Sequence, residues 1–258
     1  MEQFRHINKD SDYVTSLQEE IGATADGDYG PNTHAKVLEY YGCPVIFHMG
    51  KVVPLKDADY KVRHDFSLYE LADGTQNWRK RKKDPKSICV HWGGLNSRHC
   101  YRVFNAATGR HVSSHFLIGY SPKDEELEVL QCLDTGLTAY HAGKFNEHSI
   151  GVDVCMHPHA KYWNKTKEWY NDAYIVDNMY ERVPVDKFVM IGEDFTDLCR
   201  GFLQDLRYAT GLDNKPVCED DTVYTVSDAS NYSIVGHHNI SNKKWDVIPW
   251  AEKLYHGI

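Results

Sequence analysis

At 258 residues, with 41% hydrophobic and 26% charged side chains, the chain can build one large domain or an ordinary domain with a small companion, and its composition is not that of a disordered segment. A net charge of −8 argues against a nucleic-acid partner, which calls for a basic footprint, and no apolar run nears the ~18 residues of a membrane span, so membrane insertion is not expected. The 15 histidines suit metal binding or proton transfer, while seven cysteines, odd in number and without a CxxC pair, read as free thiols from a reducing compartment.

The first residues, Met1 to His6, show no apolar h-region, so synthesis in the cytoplasm without a Sec signal is expected. Val14, Leu17, Gln18 and Ile21 keep helical spacing, and Gly22 is placed to end that helix. Asp26 to Thr33 is dense in turn formers. A second helix follows, with Ala35, Val37, Leu38 and Tyr41 as its apolar positions and Gly42 closing it. The expected unit is a small helical domain over residues 1–50. The Leu-Gln near the first helix end, the Asp-Gly-x-Tyr-Gly-Pro-x-Thr loop and the Ala-x-x-x-x-Tyr helix resemble the peptidoglycan-binding domain of many wall hydrolases, over roughly residues 8–48. That resemblance makes Asp26, Tyr29 and Gly30 the wall-binding candidates. The plain alternative is a helix-turn-helix spacer with no ligand.

Residues 51–86 read as a linker that ends in the basic run Arg79 to Lys86, expected to be solvated. From Ser87 the pattern changes. Ile88–Trp92, His115–Tyr120, Leu127–Leu133, Ser149–Val154 and Ser233–His237 read as strands, and Phe195–Thr210 as a helix stopped by Gly211. Strands mixed with helices over 87–258 predict an α/β domain built on a central sheet flanked by helices. The stretch 156–194 is expected to be an insertion.

Polar residues cluster where buried strands end. His91 leaves one strand, His237 leaves another, and Asp246 follows nine positions later on a loop. Two histidines and a carboxylate leave the fourth corner of a tetrahedral zinc site open for water, as a catalytic centre requires. Any one of these histidines alone reads as an ordinary structural residue, so the expectation rests on all three. No HExxH occurs, which argues against a metalloprotease of that type.

Five separated pieces then stand in a familiar order: Val90-His91; Val112-Ser113-Ser114-His115-Phe116-Leu117-Ile118; Tyr140-His141-Ala142-Gly143; Asn146-x-x-Ser149-Ile150-Gly151-Val152-Asp153; and Gly236-His237-His238-Asn239-Ile240-Ser241 with Lys244-x-Asp246. Together they resemble the type-2 N-acetylmuramoyl-L-alanine amidases, a family that includes phage lysozymes of this type, AmpD-type amidases and peptidoglycan recognition proteins. The resemblance implies a mixed α/β fold and a zinc ion (Zn2+) on His91, His237 and Asp246. It also implies Lys244 as a catalytic lysine, and His141 and Asn146 as substrate-binding residues.

For proton transfer it implies a carboxylate at Asp153, where AmpD-type members carry Glu; the tyrosine that phage-type members use is replaced here by Ser114. Asp153 is the expected general base, the alternative being a carboxylate that caps the strand or orients a ligand histidine. Lys244 has its own alternative, a surface lysine beside Lys243. His115 and His238 are expected to be structural, and His157, His159 and His99 to be loop residues. The expected setting is a monomeric phage endolysin. It would be made in the host bacterial cytoplasm and released to its partner, peptidoglycan, by a holin-like membrane protein. The alternatives are a recognition protein without catalysis and a cytoplasmic recycling amidase.

Overall fold

The computed structural model describes residues 12–27, 30–55, 58–66, 71, 74–105 and 111–258. Helices α1 (Asp12–Glu20) and α2 (Pro31–Tyr41) open the chain, followed by β1 (Val45–His48), β2 (Lys51–Pro54), β3 (Val62–His64) and β4 (Trp78–Lys80). The main domain then runs β5 (Ser87–Trp92), α3 (Ser97–Asn105), β6 (Phe116–Ser121), β7 (Glu126–Gln131), β8 (Leu137–Ala139), β9 (Ser149–Val154), α4 (Trp163–Thr166), β10 (Tyr174–Asp177), β11 (Lys187–Met190), α5 (Glu193–Ala209), α6 (Val226–Ala229), β12 (Ile234–Gly236) and α7 (Ala251–Tyr255).

Six strands form the central sheet in the order β12-β5-β9-β6-β7-β3. Only the β6–β7 pair is antiparallel, so the sheet is mixed. Alternation along the strands sorts the two faces. Ile88, Val90, Ile150 and Val152 meet Phe195, Phe202, Leu203 and Leu206 of α5 in the largest core. Residues of opposite parity, His91 and Asp153 among them, face the other way, where Cys100 and Phe104 of α3 pack with Leu117 and Cys155. Each fully buried aliphatic or aromatic side chain on the α5 face contributes roughly 1.5–3 kcal/mol.

The linker expected over 51–86 is corrected by the pairing. β3 is an edge strand of the central sheet, in parallel register with β7 (Val62 opposite Val129), and β4 pairs antiparallel with β8. The boundary at residue 50 falls inside the turn of the β1–β2 hairpin, so the leading unit is not purely helical. This hairpin is tied to the main domain by a reciprocal amide pair. Phe47 N–H donates to Gln131 Oε1 at 2.9 Å, and Gln131 Nε2 donates back to the Phe47 carbonyl at 2.8 Å.

The basic run is corrected as well. Arg81 is only 7% exposed, and its guanidinium donates to the carbonyls of Thr135, Leu137, Glu147 and Ser149 at 2.8–3.0 Å. Burial lowers its pKa to about 10, which leaves it charged at neutral pH. Charge patterning could not reveal this, because a lysine-arginine run looks alike whether or not one member turns inward.

In the leading unit both helices stop as expected. Gly22 and Gly42 each take φ of 68°, a conformation that suits glycine, and the Gly42 N–H bonds the Leu38 carbonyl at 3.0 Å. Gln18, only 1% exposed, is the polar hub. It donates to Asp26 Oδ1 at 2.8 Å and Thr33 Oγ1 at 3.1 Å, and accepts from Gly27 N–H at 2.8 Å. Asp26 therefore helps to fix the loop between the helices. Gly30 is the residue before α2, with open space where a Cβ would lie. Tyr29 lies outside the described residues.

Candidate metal centre and cleft

Three adjacent parallel strands deliver the site. Gly236 of β12 is in register with Val90 of β5, so the next residue of each chain segment is a histidine, and the His237 and His91 rings are centred 4.6 Å apart. His91 is in turn the register partner of Asp153 on β9. The loop after β12 brings back Asp246, whose Oδ2 lies 3.3 Å from His237 Nδ1 and 3.6 Å from His91 Nδ1. Donor atoms of His91, His237 and Asp246 all fall within 4.8 Å of one another.

These spacings fit a shared ion better than hydrogen bonds. Charge-assisted N–H···O bonds run about 2.7–2.9 Å. A tetrahedral zinc with bonds of about 2.0–2.1 Å has ligand–ligand edges of about 3.3–3.4 Å. His237 Nδ1 is buried and has no hydrogen-bond partner, an orphaned donor atom aimed at the same point. A second cluster, Cys89, His91 and His141, shares His91. There the two imidazole nitrogens are 2.9 Å apart, too close for a tetrahedral edge and right for a hydrogen bond.

The surroundings hold the three side chains in place. Burial, with the neighbouring His237, lowers the His91 pKa to about 4, so the imidazole is neutral and able to ligate at neutral pH. Burial pushes the Asp246 carboxyl up, but contacts from His237 and His91 outweigh it and hold the group below the usual carboxylate range. His238 turns away from the cluster, and its Nδ1 bonds the Asp246 carbonyl oxygen at 2.5 Å. A Cβ on Gly236 would lie 2.3 Å from the His238 ring, so the glycine is needed for this packing. The residue after Asp246, Val247, takes φ of 59°, rare for a β-branched side chain and a sign of strain in the loop that carries Asp246.

Residues 81–178 match the family of N-acetylmuramoyl-L-alanine amidases (Amidase_2). This segment is similar to amidases of that family. It includes His91, His141, Asn146 and Asp153, and runs well into the stretch read as an insertion. His237, Lys244 and Asp246 lie beyond the matched span and join it through the sheet. Among solved structures, the Ph2119 endolysin from Thermus scotoductus MAT2119 bacteriophage Ph2119 overlaps the chain with a TM-score of 0.36 and 13% identity, covering 75% of this chain and 99% of that one. An overlap that loose carries no functional argument. No curated protein matches the chain significantly.

Within the matched segment His91 is the head of a hydrogen-bonded chain whose proton order can be worked out. Ser149 Oγ donates its one hydrogen to the Phe145 carbonyl at 2.8 Å, so towards His141 Nε2, 3.4 Å away, it can only accept. His141 then carries its proton on Nε2 and offers the Nδ1 lone pair to His91 Nε2–H at 2.9 Å. That leaves the His91 Nδ1 lone pair facing Asp246. Burial first, then His91, holds the His141 pKa well below the ordinary value, so this neutral form persists. A Cβ on Gly151 would sit 2.6 Å from Ser114 Oγ and 2.8 Å from His141 Cγ, which explains the glycine there.

A cleft of about 700 Å³ opens at the cluster, and its lining includes His91, Asp153, His237, Lys244, Asp246, His141 and Asn146. Burial raises the Asp153 pKa to about 7; the Ser114 hydroxyl pulls it down and Asp246 pushes it up. The Asn146 carboxamide oxygen is committed to the backbone N–H groups of His141 and Ala142, at 3.0 and 2.5 Å, so it shapes the turn that carries His141.

Trp92, Val103, Phe104, His111 and Tyr140 also line the cleft and were missed by sequence reasoning. For the α3 pair a signal existed: Asn96 Oδ1 accepts the His99 N–H at 2.7 Å, a helix start visible as Asn-Ser ahead of Cys100, Tyr101 and Phe104 at helical spacing. Among the described residues no helix is long and apolar enough to cross a membrane.

Proposed function

We propose that the protein is a zinc-dependent N-acetylmuramoyl-L-alanine amidase that cuts the bond between the lactyl group of N-acetylmuramic acid and the L-alanine of the stem peptide. The observation that carries this reading is the convergence of His91, His237 and Asp246 within 4.8 Å in the lining of a cleft, supported by the similarity of residues 81–178 to N-acetylmuramoyl-L-alanine amidases. His91 Nδ1, His237 Nδ1 and an Asp246 carboxylate oxygen would hold the zinc. The chemistry supplied by bound zinc is polarisation of the amide carbonyl and a water acidified from about 15.7 to about 7.

The remaining work falls to the protein. Asp153, across the β5–β9 register from His91, accepts the proton of the attacking water on its carboxylate and returns it to the leaving nitrogen of L-alanine. Its raised pKa suits a group that must both take and give a proton near neutrality. Lys244, on the cleft lining, stabilises the negative charge that grows on the carbonyl oxygen. The water oxygen adds to the carbonyl carbon first; the C–N bond then breaks as the carbonyl re-forms and the nitrogen takes the proton, leaving a muramic acid carboxylate and a free stem peptide. The α1–α2 unit, with Asp26 and Gly30 in its inter-helix loop, would hold the protein on the wall. The setting that fits is a phage endolysin, made in the host cytoplasm and admitted to the wall through a holin-like partner.

The test is mass spectrometry of digested peptidoglycan, with native protein, chelator-treated protein and protein reloaded with zinc. Free stem peptides should be released by the first and third and not by the second. Release of reducing sugar ends without peptide, or full activity after the metal is stripped, would refute the reading.

A further inference from the structure

A row of aromatic rings leaves the metal centre and follows the chain after β9. Trp245, between Lys244 and Asp246, has its ring centred 6.0 Å from that of Trp92, which follows His91 and lines the cleft. Trp92 is 4.5 Å from His157, and His157 is 4.0 Å from Tyr162. Successive rings are tilted by 37–54°, so they do not form a parallel stack. Lys161 Nζ, 4.9 Å from the Tyr162 centroid, ends the row.

All four rings are partly exposed, and their polar edges set them apart from the core aromatics. The Trp250 indole, fully buried, donates to the Val189 carbonyl at 2.8 Å, and the Tyr170 hydroxyl bonds the Cys155 carbonyl. The indole N–H groups of Trp92 and Trp245 and the Tyr162 hydroxyl make no side-chain hydrogen bond among the described residues, and none of them is a buried orphan. They face solvent. Burial first, and then His159, lowers the His157 pKa to about 4, so that ring is neutral. The row therefore offers partly exposed aromatic surface with unused hydrogen-bonding edges, at the carboxyl ends of β5 and β9, where open α/β sheets receive ligands.

We propose that this row is a saccharide subsite that takes an uncharged pyranose of the glycan strand beside the muramic acid whose peptide is cut. A pyranose presents C–H groups on its faces and hydroxyls around its rim, the complement of apolar ring faces with donors at their edges. Continuity with the cleft supports this occupant: Trp92 belongs to both, and Trp245 is flanked by Lys244 and Asp246. The subsite rests on the amidase reading and extends it from the peptide bond to the glycan.

The experiment uses the full zinc-loaded chain and two substrates with the same stem peptide, one on a single muramic acid and one on a tetrasaccharide. The unmodified protein should show a lower KM for the tetrasaccharide. Tyr162→Ala should lose that advantage, about three- to tenfold in KM, with activity on the short substrate unchanged, while Tyr162→Phe keeps most of it. Independently, a peptide-free N-acetylglucosamine oligomer should perturb tryptophan fluorescence of the unmodified protein and much less that of Tyr162→Ala. Equal KM for both substrates together with no response to the oligomer overturns the subsite and leaves the amidase reading intact. Oligomer binding without cleavage of either substrate counts against the amidase reading and leaves the subsite intact.

Discussion

Replacing His141 by leucine tests whether the Ser149–His141–His91 chain sets the metal affinity. His91 sits 5% exposed, and its Nε2–H has its acceptor 2.9 Å away on His141. Leucine fills similar space without an acceptor, so a buried donor is left unmade, at a cost of about 1–3 kcal/mol. His91 can avoid that cost by moving its proton to Nδ1, but that removes the lone pair aimed at the metal. Metal-free protein takes that route and zinc binding must reverse it, which weakens binding by about 5- to 150-fold, consistent with the 10–100-fold typical of groups that support a ligand histidine. His141→Asn keeps an acceptor oxygen near the Nδ1 position and should recover most of the affinity.

The assay is competition for zinc against a chromophoric chelator at neutral pH, with thermal unfolding of the metal-free variants as a check on folding. Ser149→Ala should weaken binding less, because its contact to His141 is the longest in the chain at 3.4 Å. A well-folded His141→Leu protein that holds zinc as tightly as the unmodified one would refute the proton order derived above.

Three other outcomes follow from the geometry. In metal-stripped protein the Asp153 carboxyl should titrate near 7 by carbon NMR, against 3.8 for the unfolded chain. Between those values the folded state binds the extra proton, so stability falls as pH rises, by a total on the order of a few kcal/mol, and Asp153→Asn should flatten that slope in chemical denaturation. Lys244→Ala should lower kcat about 10²–10³-fold while zinc content measured by elemental analysis stays the same. Arg81→Met deletes the donor to four carbonyls and should cost at least about 3 kcal/mol, seen as a fall of about 6–12 °C in Tm.

The sequence by itself determined those features that depend on local periodicity or on residue type. Short apolar runs placed β5, β6, β7, β9 and β12, most of whose residues are buried on both faces, and 3.6-residue spacing with a terminal glycine placed α1, α2 and α5. The choice of His91, His237 and Asp246 as a group was also legible, since those residue types at strand ends and on a following loop suit a metal site.

Only the tertiary structure decided how residues far apart in the chain meet. The β12–β5–β9 register aligns His237, His91 and Asp153 across three strands, a result of sheet order that periodicity does not encode. Short edge strands such as β3 and β4 have three residues each, too few to show alternation, and Arg81 differs from its charged neighbours only in where its side chain goes. The role of His141 was likewise invisible, because it follows from the one hydrogen that Ser149 spends on a carbonyl four residues away.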